Sequence, residues 1–194
     1  MARIIALLVL AVAVTGCSSW NLSTAITGIR LAPLELDPAG LEFFFAVPDN
    51  VDLSSGDAKI LLAYAPLKGE EADVVKSEIG LAVHRFEPSG EFNTDFSSNL
   101  YRARIPESQL SDFRNTQAEI SNMKSNEING VGTFAVRIHS ACYYGQSPEP
   151  FFMTAWIRTE PGGAIMPLAR KVDLWTVLSA WAATDLRERV RECT

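Results

Sequence analysis

The chain has 194 residues, 47% of them hydrophobic and 21% charged, with 17 Lys and Arg against 23 Asp and Glu and a formal net charge of −6 at pH 7. That length suits one domain with a sizeable core, and the acidic balance argues against nucleic-acid binding, which needs a basic face. No repeat of fixed period, low-complexity tract or long block of like charge interrupts it.

Ile4–Val14 is an unbroken apolar run preceded by Arg3 and by no acidic residue. It falls short of the about 20 residues a helix needs to cross a hydrocarbon core of about 30 Å. A buried core helix would instead carry polar residues at helical spacing. A short basic start, an apolar centre and then small residues make the layout of a secretory signal peptide. The run ends in Val14-Thr15-Gly16-Cys17. This stretch resembles the lipobox of bacterial lipoproteins: a branched apolar residue, two small residues and a cysteine whose thiol carries lipid. The resemblance covers residues 1–17 alone. It implies cleavage between Gly16 and Cys17, a diacylglyceryl thioether on Cys17 and acylation of the new amino group. Ser18 is similar to the residue that follows the cysteine in outer-membrane-sorted lipoproteins, which implies anchoring in the inner leaflet of the outer membrane, facing the periplasm. Two or more acyl chains hold a protein stably where one binds marginally. No later stretch reaches about 18 consecutive apolar residues, so no second membrane segment is expected.

The expected organisation is therefore a signal peptide over 1–16, a lipidated tether over 17–23 and a single domain over 24–194. Without Arg3 the mature chain keeps 16 basic against 23 acidic side chains, a formal charge of −7. In that domain, short apolar-rich runs alternate with turn residues, the pattern of strands. Strands are expected over Ala25–Leu36, Leu41–Val47, Lys59–Ala65, Val74–Phe86 and Leu100–Ile105. Pro106 then suits a first helical turn. Leu110, Phe113, Gln117, Ile120 and Lys124 form a stripe at helical spacing, only partly apolar, which predicts a helix lying on a sheet.

Val131–Tyr144 alternates most clearly, with Phe134, Val136, Ile138, Ser140 and Cys142 expected on one apolar face. Phe151–Thr159 and Ala164–Leu174 read as a hairpin around Pro161-Gly162-Gly163, with Pro167 assigning the second strand to an edge. In the tail, Asp185–Cys193 places Leu186, Val190 and Cys193 on one helical side. The fold expected is mainly β: an immunoglobulin-like or transthyretin-like sandwich with an inserted surface helix and a short C-terminal helix. The Cys-Trp-Cys layout of antibody domains is missing.

With Cys17 lipidated, Cys142 and Cys193 remain as a pair, and an oxidising periplasm favours their bridging over two separate thiols. His84 and His139 are the only histidines, and nothing in their spacing enforces a metal site, so no metal and no cofactor are expected. Asp49, Asp52 and Asp57 crowd one loop, but the glycine falls one place early for a calcium loop begun at Asp52. G-x-S-x-G and H-E-x-x-H are absent, and His139 alternates with Ser140 along a strand, so no enzyme is expected.

Aromatics are the remaining signal. Consecutive residues of Phe43-Phe44-Phe45 cannot face one core, so some meet the inserted helix, a partner or solvent. Tyr143, Tyr144 and Phe151 form a candidate recognition patch. Two functions follow. One is a lipid-anchored binding or assembly module for another envelope protein. The other is a periplasmic carrier or sensor of a small apolar or lipidic ligand held between the sheets.

Overall fold

A computed structural model describes residues 31–68, 73–87 and 90–194. The signal peptide, Gly16, Cys17, the tether and the first part of the expected Ala25–Leu36 strand lie outside those residues. The protein is mainly β, with eleven strands in three sheets among the described residues. The first sheet is antiparallel throughout, in the order β10 (Met166–Asp173), β9 (Phe152–Arg158), β1 (Glu42–Pro48), β6 (Ser98–Arg104), β5 (Ala82–Arg85). The second is also antiparallel, with β3 (Ala58–Pro66) between β4 (Val75–Gly80) and β7 (Gly130–Ile138). A third small sheet has β8 (Ala141–Tyr143) between β2 (Val51–Asp52), antiparallel to it, and β11 (Val190–Glu192), parallel to it. As Pro167 requires, β10 is an edge strand, and the hairpin with β9 forms as expected.

The strand alternation explains the core. Phe43, Phe45, Tyr101 and Ile157 of the first sheet share one buried cluster with Ile60, Leu62, Ile79 and Phe134 of the second. Phe44 points the other way, with Ala46, Leu100 and Trp156. This second face is covered by Phe86, Phe92, Phe96 and Ile165, with Phe92 centred 4.9 Å from Phe44 and 5.3 Å from Trp156. The inserted helix does not cover it. That helix, α1 (Leu110–Ser125), packs on β3 and β4 and buries Phe113 and Ile120 in the main core. Its polar stripe position has a specific use. The buried Gln117 amide donates to the carbonyls of Pro33 (2.8 Å) and Leu36 (2.9 Å), and Arg114 reaches Asp37 at 2.9 Å. Gln117 thus fastens the entering chain.

Four expectations are corrected at the backbone. Leu31–Leu36 forms turns rather than the end of a strand, with Glu35 N–H bonded to the Ala32 carbonyl. Val74–Phe86 is two strands that pivot at buried Leu81, whose N–H donates to Ala58 O and whose carbonyl accepts from Gly56 N–H. A Cβ on Gly80 would stand 3.2 Å from the Gly56 Cα, so the crossing from one sheet to the other needs a bare backbone.

Val131–Tyr144 is also two strands. The amides of His139 and Ser140 both donate to the Asp57 carbonyl, breaking the alternation so that Ala141, not Ser140 or Cys142, turns inward. In the tail, α2 (Leu174–Val177) and α3 (Ala180–Arg189) precede β11. The short C-terminal helix exists, but Val190 and Cys193 lie beyond it, because pairing with β8 satisfies their backbone in a way a fraying last turn would not.

Candidate recognition site at the disulfide-tied end

Segments 142–150 and 174–193 are fastened together. Cys142 and Cys193 are bridged, with Cα atoms 4.9 Å apart, and Cys193 N–H donates to Tyr143 O at 2.9 Å. Asp173 caps α2 through the Trp175 amide, and Ser179 caps α3 through the Ala182 amide. Trp175 donates its indole N–H to the Pro148 carbonyl at 2.8 Å, stands edge-on to Phe151 at 5.5 Å and carries the Arg187 guanidinium over its face at 4.6 Å. Arg187 also lies 3.8 Å from Glu149. On the adjoining turn, the Asn50 side chain donates to Gln146 O at 2.8 Å, and Tyr144 N–H donates to Asn50 O.

From this frame two large aromatics project: Trp181 is 76% exposed and Tyr144 59%. Val177, the last residue of α2, is about half exposed. On α3 the inward residues are Ala183 and Leu186, which leaves Trp181 on the outward side. Of the three residues expected in a recognition patch, Tyr144 is exposed and Tyr143 half-buried. Phe151 is 0% exposed, so it supports the rim from beneath and cannot be part of it. Trp181 is the rim residue absent from that patch. Its signal lay in Ala180-Trp181-Ala182-Ala183, a tryptophan among small residues behind a serine cap.

The other candidate groups do not converge. Asp49 accepts from Ser97, Asp52 from the Tyr101 hydroxyl and Leu53 N–H, and Asp57 from Ser54 N–H and the Ser140 hydroxyl. These carboxylates therefore serve the protein's own donors. Burial, then the hydrogen bond to Asp52, pushes the Tyr101 hydroxyl above the ordinary tyrosine range. His84 is exposed on β5 opposite Arg102, whereas the His139 ring lies against Arg189, 2.9 Å from Nδ1. With Ser140 bonded to Asp57 and Cys142 oxidised, His139, Ser140 and Cys142 make no nucleophilic unit. Among the described residues, no group of three or more His, Cys, Asp or Glu is placed to hold a metal ion, and no helix is long and apolar enough to cross a membrane. No protein-family model matches the chain, and no curated protein or solved structure matches it.

Proposed function

We propose that this chain is a lipid-anchored envelope protein whose folded part is a docking module for another envelope protein. In this reading Cys17 carries the acyl chains, the anchor sits in the inner leaflet of the outer membrane, and the domain faces the periplasm as an immunoglobulin-like or transthyretin-like sandwich. The docking surface is the rim bearing Trp181 and Tyr144, and the partner offers an apolar pocket for the indole. The observation that carries the reading is the 76% exposure of Trp181 on a segment held by a disulfide and two helix caps. Tryptophan and tyrosine dominate binding hot spots, and a rigid frame reduces the entropy lost on docking. The space between the two larger sheets is filled by Phe43, Phe45, Ile60, Leu62, Tyr101 and Ile157, which favours docking over carriage of a ligand between them.

The test is crosslinking of the native lipoprotein in cells, followed by purification. One stoichiometric envelope partner should be recovered with the wild type and lost with Trp181→Ala at unchanged folding stability. Equal recovery with the variant overturns the assignment of the rim. Cys17→Ser should leave the membrane fraction, and unchanged fractionation overturns the anchor.

A further inference from the structure

The outer face of the five-stranded sheet carries an excess of positive charge around one buried carboxylate. Glu42 on β1 lies directly between Arg104 of β6 and Arg158 of β9 in the strand register. Arg104 donates to Glu42 Oε1 through Nε (2.6 Å) and Nη2, and Arg158 donates to Oε2 through Nη1 at 2.7 Å. Burial would raise the Glu42 pKa, but the hydrogen bonds and charges of the two arginines outweigh it and hold the carboxyl below its ordinary value. One negative charge thus meets two positive ones. Arg158 also donates from Nε to Gly163 O at 3.1 Å and lies over the Phe44 ring at 5.4 Å, so its fork is fixed in orientation.

These bonds use both oxygens of Glu42. They leave Arg104 Nη1 and Arg158 Nη2 without an acceptor among the described residues. Both arginines line a surface cavity of about 240 Å³ together with Gly40, Pro161 and Gly162. The Arg158 side chain is only 22% exposed, so its share of the excess charge is poorly served by water. The neighbouring acidic groups do not cancel it. Asp37 is engaged by Arg114, and Glu160 packs its side chain against Gly163 and forms no ion pair with either arginine. Arg102, opposite Phe44 and His84 further along the same face, does not line the cavity.

We infer that this cavity binds a phosphate oxyanion, with Arg104 and Arg158 as its two forks. A singly charged phosphodiester matches the single excess positive charge, and two converging guanidinium groups fit its two free oxygens. Such a group reaches the cavity either on a phospholipid head group or on a soluble ester. Glu42 is the internal counter-ion that brings both forks together while leaving one NH2 group of each unengaged.

Full-length protein in uncharged maltoside micelles is titrated with glycerophosphoglycerol and, separately, with short-chain phosphatidylglycerol. The Nε–H resonances of Arg104 and Arg158 and the amide resonances of Gly40 and Gly162 are followed. Both probes should shift these signals. Equal affinity for the two marks a soluble ester, and markedly tighter binding of the lipid marks a head group; either supports the site. Arg104→Gln should weaken binding about tenfold or more through loss of one charge-assisted fork, and Arg104→Lys should recover part of it. The Arg104 side chain is 53% exposed, and the amide spectrum of each variant checks that it is folded before titration. If neither probe shifts these resonances, or Arg104→Gln binds as the wild type does, the assignment is overturned.

Discussion

Cys142→Ala with Cys193→Ala tests how the disulfide-tied end is built. The two cysteines are 51 residues apart in sequence. Cross-linking a loop of that length removes freedom from the unfolded chain worth about 4 kcal/mol at 25 °C. Without the bridge the tail is held by three residue pairs between β11 and β8, the Cys193–Tyr143 hydrogen bond, the contacts of Arg187 with Trp175 and Glu149 and of Arg189 with His139, and burial of Ala183, Leu186 and Val190. Burying Leu186 and Val190 contributes about 1.5–3 kcal/mol each, comparable with what the bridge supplies. The double variant should therefore unfold in urea at a midpoint lower by about 1.5 M, taking a slope near 2.5 kcal/mol/M for a domain of this size. Hydrogen exchange at the Arg191 and Cys193 amides should accelerate by more than exchange in β1, because the tail opens before the sheets do. An unchanged urea midpoint together with unchanged exchange at Cys193 would refute the reasoning: the tail would then be held by packing alone.

Three further outcomes are expected. Burial first, then the charges of Lys59, Arg189 and Arg137 against a smaller pull from Glu78, holds the His139 pKa below 6.5. The unfolded chain then takes a proton near pH 6.5 that the folded one refuses, so this share of stability is present above pH 6.5 and lost as the pH falls through the folded value; His139→Gln should flatten that stretch of the urea midpoint against pH. Glu42 is also depressed, so its contribution holds above the unfolded value of 4.5 and is lost as the pH falls through the folded one, while Arg158→Met should cost about 2 kcal/mol at neutral pH by calorimetry. Phe113→Ala, at a fully buried site that joins α1 to the main core, should cost about 4 kcal/mol in chemical denaturation, and a loss under about 1 kcal/mol would show that the helix is not part of the cooperative unit.

Much of the architecture was legible in local pattern. Short apolar-rich runs bounded by turn residues marked β1, β3, β6 and β9, and Pro167 marked β10 as an edge, because turn residues and a missing N–H act within a few residues. The Phe44 problem was legible too, since three consecutive aromatics must serve two faces. What covers Phe44 was not: Phe86, Phe92 and Phe96 lie in a stretch with no regular period. The expected site was partly readable. Tyr144 is exposed as the patch requires, but Phe151 is buried by Trp175, a contact made across 24 residues that no local pattern encodes.

The sequence by itself determined a mainly β chain with a helix whose stripe runs from Leu110 to Lys124, a short helix near the C-terminus, and Cys142 and Cys193 as a candidate pair. Tertiary structure alone decided where strands change sheets, at Leu81 and at His139–Ser140, because those breaks are held by Ala58, Gly56 and Asp57, remote in sequence from at least one partner. It also decided that the tail ends as a strand and that Glu42 stands between two arginines from different strands. Register places such groups side by side, and register is a property of the assembled sheet.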